Sequence, residues 1–227
     1  MRLSFSKRHI EPELLDHASV EDARANLAQI ARLNQRFGGH TVLRKALAQA
    51  LNGSPAFTLL DIGAASGDTA RLVNQIYPAA SVTSLDLSPI NLAGAPHPKL
   101  LADAFRLPFK PASFDYVFCS LFLHHFDDRR IGDLMAGFYR IARRALLVSD
   151  LERHILPYLF FPATQPFFGW TPITAHDGMR SVRAAFRASE LRRLAENAGI
   201  PNAQVTIHRP AFRLTLTAQK EGSLEHS

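Results

Sequence analysis

Cysteine is nearly absent: Cys119 is the single thiol in 227 residues. One thiol cannot close an internal disulfide or build a multi-cysteine zinc site, and it suits a reducing compartment. Blocks of like charge are also missing. The 26 Lys and Arg against 20 Asp and Glu give a net charge of +6 and a pI near 9.9. The basic residues are spread along the chain with no run of five or six, so the balance describes a solvated, mildly basic surface and no nucleic-acid partner is expected. Met1 to Ile10 is basic but has no apolar core, so no secretory signal is expected and the cytoplasm is the default location. No internal repeat is present. One long uncharged stretch exists, residues 155–175, which has the length to span a bilayer. It carries Pro157, Pro162, Pro166 and Pro172. Four prolines are expected to break any helix built from it and to leave backbone groups that lipid cannot satisfy. The expectation is a protein-buried or cleft-covering segment and no integral membrane span.

With 47% hydrophobic and 20% charged residues, the chain fits one soluble domain of ordinary size with modest additions. Ser19 and Asp22 make a capping-box-like start for a helix carrying Ala23, Leu27, Ile30, Asn34 and Phe37, ended by Gly38-Gly39. A second helix with Val42, Leu43, Ala46, Leu47, Ala50 and Leu51 is expected to stop at Asn52-Gly53. The pair forms an N-terminal helical cap, residues 1–55. From 56 to about 220, apolar strand runs and helical periodicities alternate. Strands are expected over 57–62, 80–87, 99–102, 114–121 and 145–149, with helices from Ser66, from Asp127 or Asp128, and over about 189–198. Alternation of this kind builds an open, mostly parallel α/β sheet with helices on both faces. Two last strands, about 203–209 and 211–218, are too close for a parallel crossover and should pair antiparallel. Residues 151–186 form an insert on the substrate side, and 221–227 a frayed tail.

The informative stretch is Asp61-Ile62-Gly63-Ala64-Ala65-Ser66-Gly67, which joins a strand covered on both faces to a helix. Glycines there let the backbone approach a ligand, and the unpaired amides at the helix start favour an anionic group. A pyrophosphate site would want G-x-G-x-x-G. Here the middle and third glycines of that pattern are missing and Asp68 follows, which weakens the dinucleotide reading and a nicotinamide-dependent oxidoreductase with it.

The chain resembles class I S-adenosylmethionine-dependent methyltransferases over about residues 56–150. Asp61 to Gly67 is similar to the family's D-x-G-x-G-x-G loop, with Ala65 where the middle glycine is usual. Leu85-Asp86-Leu87-Ser88-Pro89 resembles its second motif, Asp103-Ala104 its adenine-binding pair, and Phe114 to Ser120 its fourth motif. The resemblance implies a Rossmann-like fold and S-adenosyl-L-methionine as cofactor. Asp61 would take its amino group near Gly63, Ala65 and Gly67. Asp86 would accept from both ribose hydroxyls, Leu87 would cover the adenine, and Asp103 with the Ala104 amide would read its edge. Ser120 closes the fourth motif beside the site.

The acceptor is written less plainly. Methyl transfer is an in-line displacement in which positioning carries much of the work; a hydroxyl acceptor gains from a base. His124, His125 and His176 are the candidates, the adjacent pair fitting equally one packed and one solvated ring. Tyr158, Phe160, Phe161, Phe167, Phe168 and Trp170 place six of the chain's 21 aromatics in one short segment. Such rings suit a cleft for a flat or lipophilic partner, with Asn34 and Phe37 as its opposite wall. The expected function is O-methylation of a small aromatic or polyketide-like hydroxyl compound of secondary metabolism. C-methylation of a quinone-type ring and a non-catalytic S-adenosylmethionine-binding protein are the alternatives. No metal is expected. The oligomeric state is not written in the chain.

Overall fold

The computed structural model describes residues 5–51 and 56–220. The expected helix stop at Asn52-Gly53, the boundary at residue 55 and the tail from 221 lie outside the described residues. Strands β1 (Thr58–Ile62), β2 (Ser81–Asp86), β3 (Lys99–Leu101), β4 (Phe114–Ser120), β5 (Ala142–Leu151), β6 (Gln204–His208) and β7 (Arg213–Gln219) form one sheet. Its order is β3-β2-β1-β4-β5-β7-β6. The first five strands run parallel, and β7 is antiparallel to both β5 and β6. This is the Rossmann-like sheet the alternation predicts.

Strand side chains alternate between faces, and both faces are covered. Leu60, Ile62, Val117 and Cys119 pack with α5 (Asp128–Ile141) and α8 (Ala188–Asn197). Leu59, Tyr116 and Phe118 pack with α2 (Gly39–Leu51) and α3 (Asp68–Ile76). Continuous burial explains why these strands read as unbroken apolar runs. β5 extends two residues beyond its expected end, which brings Asp150 and Leu151 into the sheet. Helix α4 (Pro89–Leu92) is a single turn started by Ser88.

Helix α1 (Val20–Arg36) starts where Ser19 Oγ accepts the Asp22 amide. It crosses the carboxyl ends of the parallel strands and contacts α7 (Pro172–Ala184). Asn26 Nδ2 donates to Thr174 Oγ1 at 3.0 Å, and Gln29 Oε1 accepts the Thr171 amide at 3.0 Å.

The proline-rich segment departs from expectation. Ile155–Phe168 is a helix, α6, with Pro162 and Pro166 inside it. Pro157 sits in its first turn and Pro172 opens α7, positions where no amide donor is needed. The two interior prolines each remove a ladder bond, and tertiary contacts hold the helix instead. Phe161 occupies the space a side chain on Gly178 would fill, and Trp170 Nε1 donates to Thr164 Oγ1 at 2.9 Å. No α6 residue is fully buried. The segment covers a cleft. No described helix is long and apolar enough to cross a membrane.

Candidate active site

A cavity of about 1660 Å³ opens at the carboxyl ends of β1, β2, β4 and β5, where Asp61, Asp86, Ser120 and Leu151 line it. Such strand ends are where open α/β sheets hold ligands. The volume exceeds that of most single-ligand pockets, about 300 to 1,000 Å³, so two molecules fit side by side.

One end is built by the glycine turn. Gly63 (φ +68°) and Gly67 (φ +76°) lie in the left-handed region, and so does Ala65 (φ +46°). The alanine therefore occupies a conformation that glycine takes without strain, at a cost of about 1 kcal/mol. A Cβ on Gly63 would drive into the Phe122 ring, and one on Gly67 would lie 2.6 Å from Pro96 Cδ. Gly63→Ala is expected to lower stability by about 2 to 4 kcal/mol, from overpacking plus backbone strain. Ala65→Gly should be nearly neutral, because strain relief offsets the unfolded-chain entropy gained. Denaturant midpoints of the two variants check the contrast, and equal midpoints would remove it.

The acids around the turn differ in their partners. Asp86 accepts the Ala65 amide on Oδ2 and the Ser88 amide on Oδ1, both at 2.9 Å; each oxygen keeps a second lone pair for a ligand. Asp61 is 2% exposed, and its Oδ2 has no hydrogen-bond partner among the described residues. Burial, then the charges of Asp86 and Asp68, push the Asp61 carboxyl well above its ordinary range. A cationic ligand group against Asp61 would relieve both effects. Asp68 is held by His40 Nε2 at 2.8 Å. Gly67, Leu87, Asp103 and Ala104 do not line the enclosed cavity. Leu87 is 70% exposed beyond Asp86, and Asp103 Oδ1 accepts the Phe105 amide at 2.9 Å.

The other end is apolar and aromatic, with Phe37, Leu156, Phe160 and Phe161 on its walls. Phe37 packs edge-on against Phe160 and Phe168, with centroids 4.8 and 5.5 Å apart. Phe167 points to solvent and Trp170 is buried in helix packing, so the aromatic cluster is divided between wall, surface and support.

The three histidines separate. His124 is 3% exposed and lines the cavity. Its Nδ1 lies 2.7 Å from Asp150 Oδ1, while Asp150 Oδ2 accepts the Leu123 and His124 amides. Burial raises the Asp150 pKa, but the His124 charge and hydrogen bond outweigh it and the net shift is downward. An ionised carboxylate only accepts, so Nδ1 is the donor and Nε2 is left as the basic nitrogen. Burial lowers the His124 pKa, the Asp150 charge and hydrogen bond raise it more, and the net shift is upward. His125 lies beside His124 with ring centroids 4.2 Å apart and the planes tilted by 32°, and is more exposed, its Nδ1 3.7 Å from Glu13 Oε1. The His124 ring is packed and the His125 ring is partly exposed. Glu13, His124 and His125 bring ligand-type atoms within 4.8 Å of one another. Glu13 also accepts Ser181 Oγ at 2.6 Å. His176 does not line the cavity. Its Nδ1 bonds Asp177 at 2.8 Å, and the two Asp177 oxygens accept the Leu14 and Leu15 amides. That carboxylate also fixes the N-terminal segment.

Arg8 locks the same segment beneath His124. It donates to Asp128 Oδ1 and to the carbonyls of Phe126, Ala184 and His124. Sequence reasoning missed Asp150, Glu13 and Arg8. Only Asp150 had a readable signal, its place at the end of a parallel strand.

Residues 60–145 match the family model described as a methyltransferase domain. Over those residues the chain carries a methyltransferase domain, and its motifs are similar to those of class I S-adenosylmethionine-dependent methyltransferases. Over 80 residues the chain is 39% identical to a malonyl-[acyl-carrier protein] O-methyltransferase of Herminiimonas arsenicoxydans, covering 34% of this chain and 31% of that protein. The chain thus spans about a third of the length of this curated relative. Among solved structures, a putative O-methyltransferase from Nostoc punctiforme superposes with a TM-score of 0.60 at 20% identity, over 85% of this chain and 59% of the other. Magnesium protoporphyrin IX methyltransferase from Synechocystis, with bound SAH, gives 0.55 at 17%, over 81% and 83%. Likeness at that identity carries the methyltransferase fold, and the chemistry rests on the residues above.

Proposed function

We propose that the chain transfers a methyl group from S-adenosylmethionine to a hydroxyl of a small aromatic or polyketide-like molecule. The observation that carries this reading is one cavity shared by an acid-lined turn and an aromatic wall, with the His124–Asp150 pair between them. S-adenosylmethionine, when bound, supplies an electrophilic methyl on a sulfonium leaving group. The orphaned Asp61 Oδ2 suits its amino group, and the spare lone pairs of Asp86 suit its ribose hydroxyls. His124 Nε2 receives the acceptor's proton, and Asp150 holds the ring in the competent tautomer and stabilises the imidazolium. Helix α6 and Phe37 exclude water and orient a flat acceptor. The O-methyltransferase named among the relatives favours oxygen as the acceptor atom.

Calorimetry with S-adenosylhomocysteine, followed by radiolabelled transfer to a panel of phenols, quinones and RNA, tests the reading. Binding with transfer to phenols is expected, and EDTA should leave the rate unchanged. Absence of binding would sink the cofactor assignment, and ring-methylated products would replace O- with C-methylation. An EDTA loss restored by a divalent ion would reassign Glu13, His124 and His125 from proton handling to ion binding.

A further inference from the structure

Among the described residues three arginines are largely removed from solvent, and two are fully engaged. Arg153 makes a bidentate pair with Glu190, at 2.9 and 2.6 Å, and donates to the Ala185 carbonyl. Arg8 has Asp128 and three carbonyls. The third, Arg213, is 9% exposed and lines the cavity. Its one hydrogen bond among the described residues runs from Nη2 to the Asn34 amide oxygen at 2.9 Å, and no described carboxylate pairs with it. The nearby acid, Asp150, has both oxygens committed to His124 and to the amides of Leu123, His124 and Leu151. Burial pushes the Arg213 pKa down to about 10, which leaves the group charged at neutral pH. A guanidinium with most of its donors unused beside apolar walls is unfavourable until an anion meets it. A planar carboxylate does so with two parallel bonds.

Two carboxylates could reach this cavity, one on the amino-acid end of the cofactor and one on the acceptor. Position separates them. Arg213 begins β7, opposite Leu151 at the end of β5, and in the order β1-β4-β5-β7 that strand lies three places from the turn. At about 4.8 Å per strand this is roughly 14 Å from the Asp61 strand. It is also beyond His124, on the acceptor side.

We infer that Arg213, oriented by Asn34, is the anchor for a carboxylate on the methyl acceptor, so that the natural substrate is an aromatic or polyketide-like hydroxy acid with its hydroxyl toward His124. This rests on the methyl-transfer reading for the hydroxyl, while the carboxylate subsite is testable without turnover. The protein saturated with S-adenosylhomocysteine is titrated with matched acid and amide probes: 4-hydroxybenzoate, 3,4-dihydroxybenzoate and 6-hydroxy-2-naphthoate against their carboxamides. At least one acid is expected to bind tenfold or more tighter than its amide. Arg213→Gln and Arg213→Met should abolish that preference and Arg213→Lys should keep part of it, with S-adenosylhomocysteine affinity unchanged within twofold. Arg213→Met should melt no lower than the parent, since it removes an uncompensated buried charge. Equal binding of every acid and amide, or a preference that survives Arg213→Met, overturns the inference. So does a variant that loses S-adenosylhomocysteine binding instead, which would hand Arg213 to the cofactor. Transfer to neutral phenols without any acid preference would leave the methyltransferase reading standing and remove this one. An acid preference that depends on Arg213, without turnover, would do the reverse.

Discussion

Asp61→Asn weakens binding of S-adenosylhomocysteine roughly 10- to 100-fold and leaves the free protein at least as stable as the parent. The affinity loss follows from one charge-assisted bond, about 1.5 to 3 kcal/mol, between the carboxylate and the ligand's amino group. The stability result follows from the orphaned Oδ2, since the parent buries an acceptor with nothing to accept. The sign of the pH dependence is set by the raised folded-state pKa of Asp61, caused by burial and then by Asp86 and Asp68. A carboxyl raised above its unfolded value of about 3.9 contributes stability fully below that value and loses it as pH rises through the folded pKa. The advantage of Asp61→Asn over the parent should therefore grow with pH across that interval and shrink when S-adenosylhomocysteine is added. Melting curves from pH 4 upward, with and without the ligand, measure it. Unchanged ligand affinity in Asp61→Asn would remove the carboxylate from the site.

The same residue shows how far the sequence could be read. Asp61, Asp86 and the loop between them are consecutive along a strand, turn, helix and strand, so their meeting at one edge is local and legible. The sheet was legible for a related reason: strands covered on both faces carry apolar runs that need no partner to be noticed. Helix α6 was not, because propensity argues against it. Pro162 and Pro166 delete ladder bonds that the Phe161–Gly178 and Trp170–Thr164 contacts replace, and those contacts join residues whose proximity only the folded chain supplies. Arg213 was hidden by topology. Arg213 reaches the site because β7 inserts antiparallel beside β5, so that the start of a late strand meets the end of an earlier one. His176 stands outside the cavity, which its place in the sequence just after the proline-rich segment did not reveal.

Asp150→Asn and His124→Ala are expected to lower kcat by about 100- to 10,000-fold, the usual range for a general base, with S-adenosylhomocysteine affinity intact. Both should also destabilise the fold, by about 3 to 5 kcal/mol where one member of a buried ion pair is left alone; circular dichroism establishes that the assayed variants are folded. The pH profile separates a base from a structural residue. The net upward shift of His124 places the rising limb of kcat/KM above the ordinary value of about 6.5. In Asp150→Asn the burial effect remains while the opposing charge is gone, so the limb moves down in pH even as its height falls. A rate loss with an unmoved limb would make the pair structural. Stability runs the other way. His124, raised in the fold, contributes fully below about pH 6.5 and loses its contribution as pH rises through its folded pKa. Asp150, depressed in the fold, contributes above about pH 3.9 and loses its contribution as pH falls through its folded pKa. The pair therefore stabilises most between about pH 4 and 6.5, where His124 is protonated and cannot accept a proton. Turnover requires the neutral ring, on the alkaline side of that window. The interaction that fixes the base in place is strongest where the base is idle, so the parent's denaturation midpoint should fall over the same pH interval in which its kcat/KM rises, and Asp150→Asn should uncouple the two.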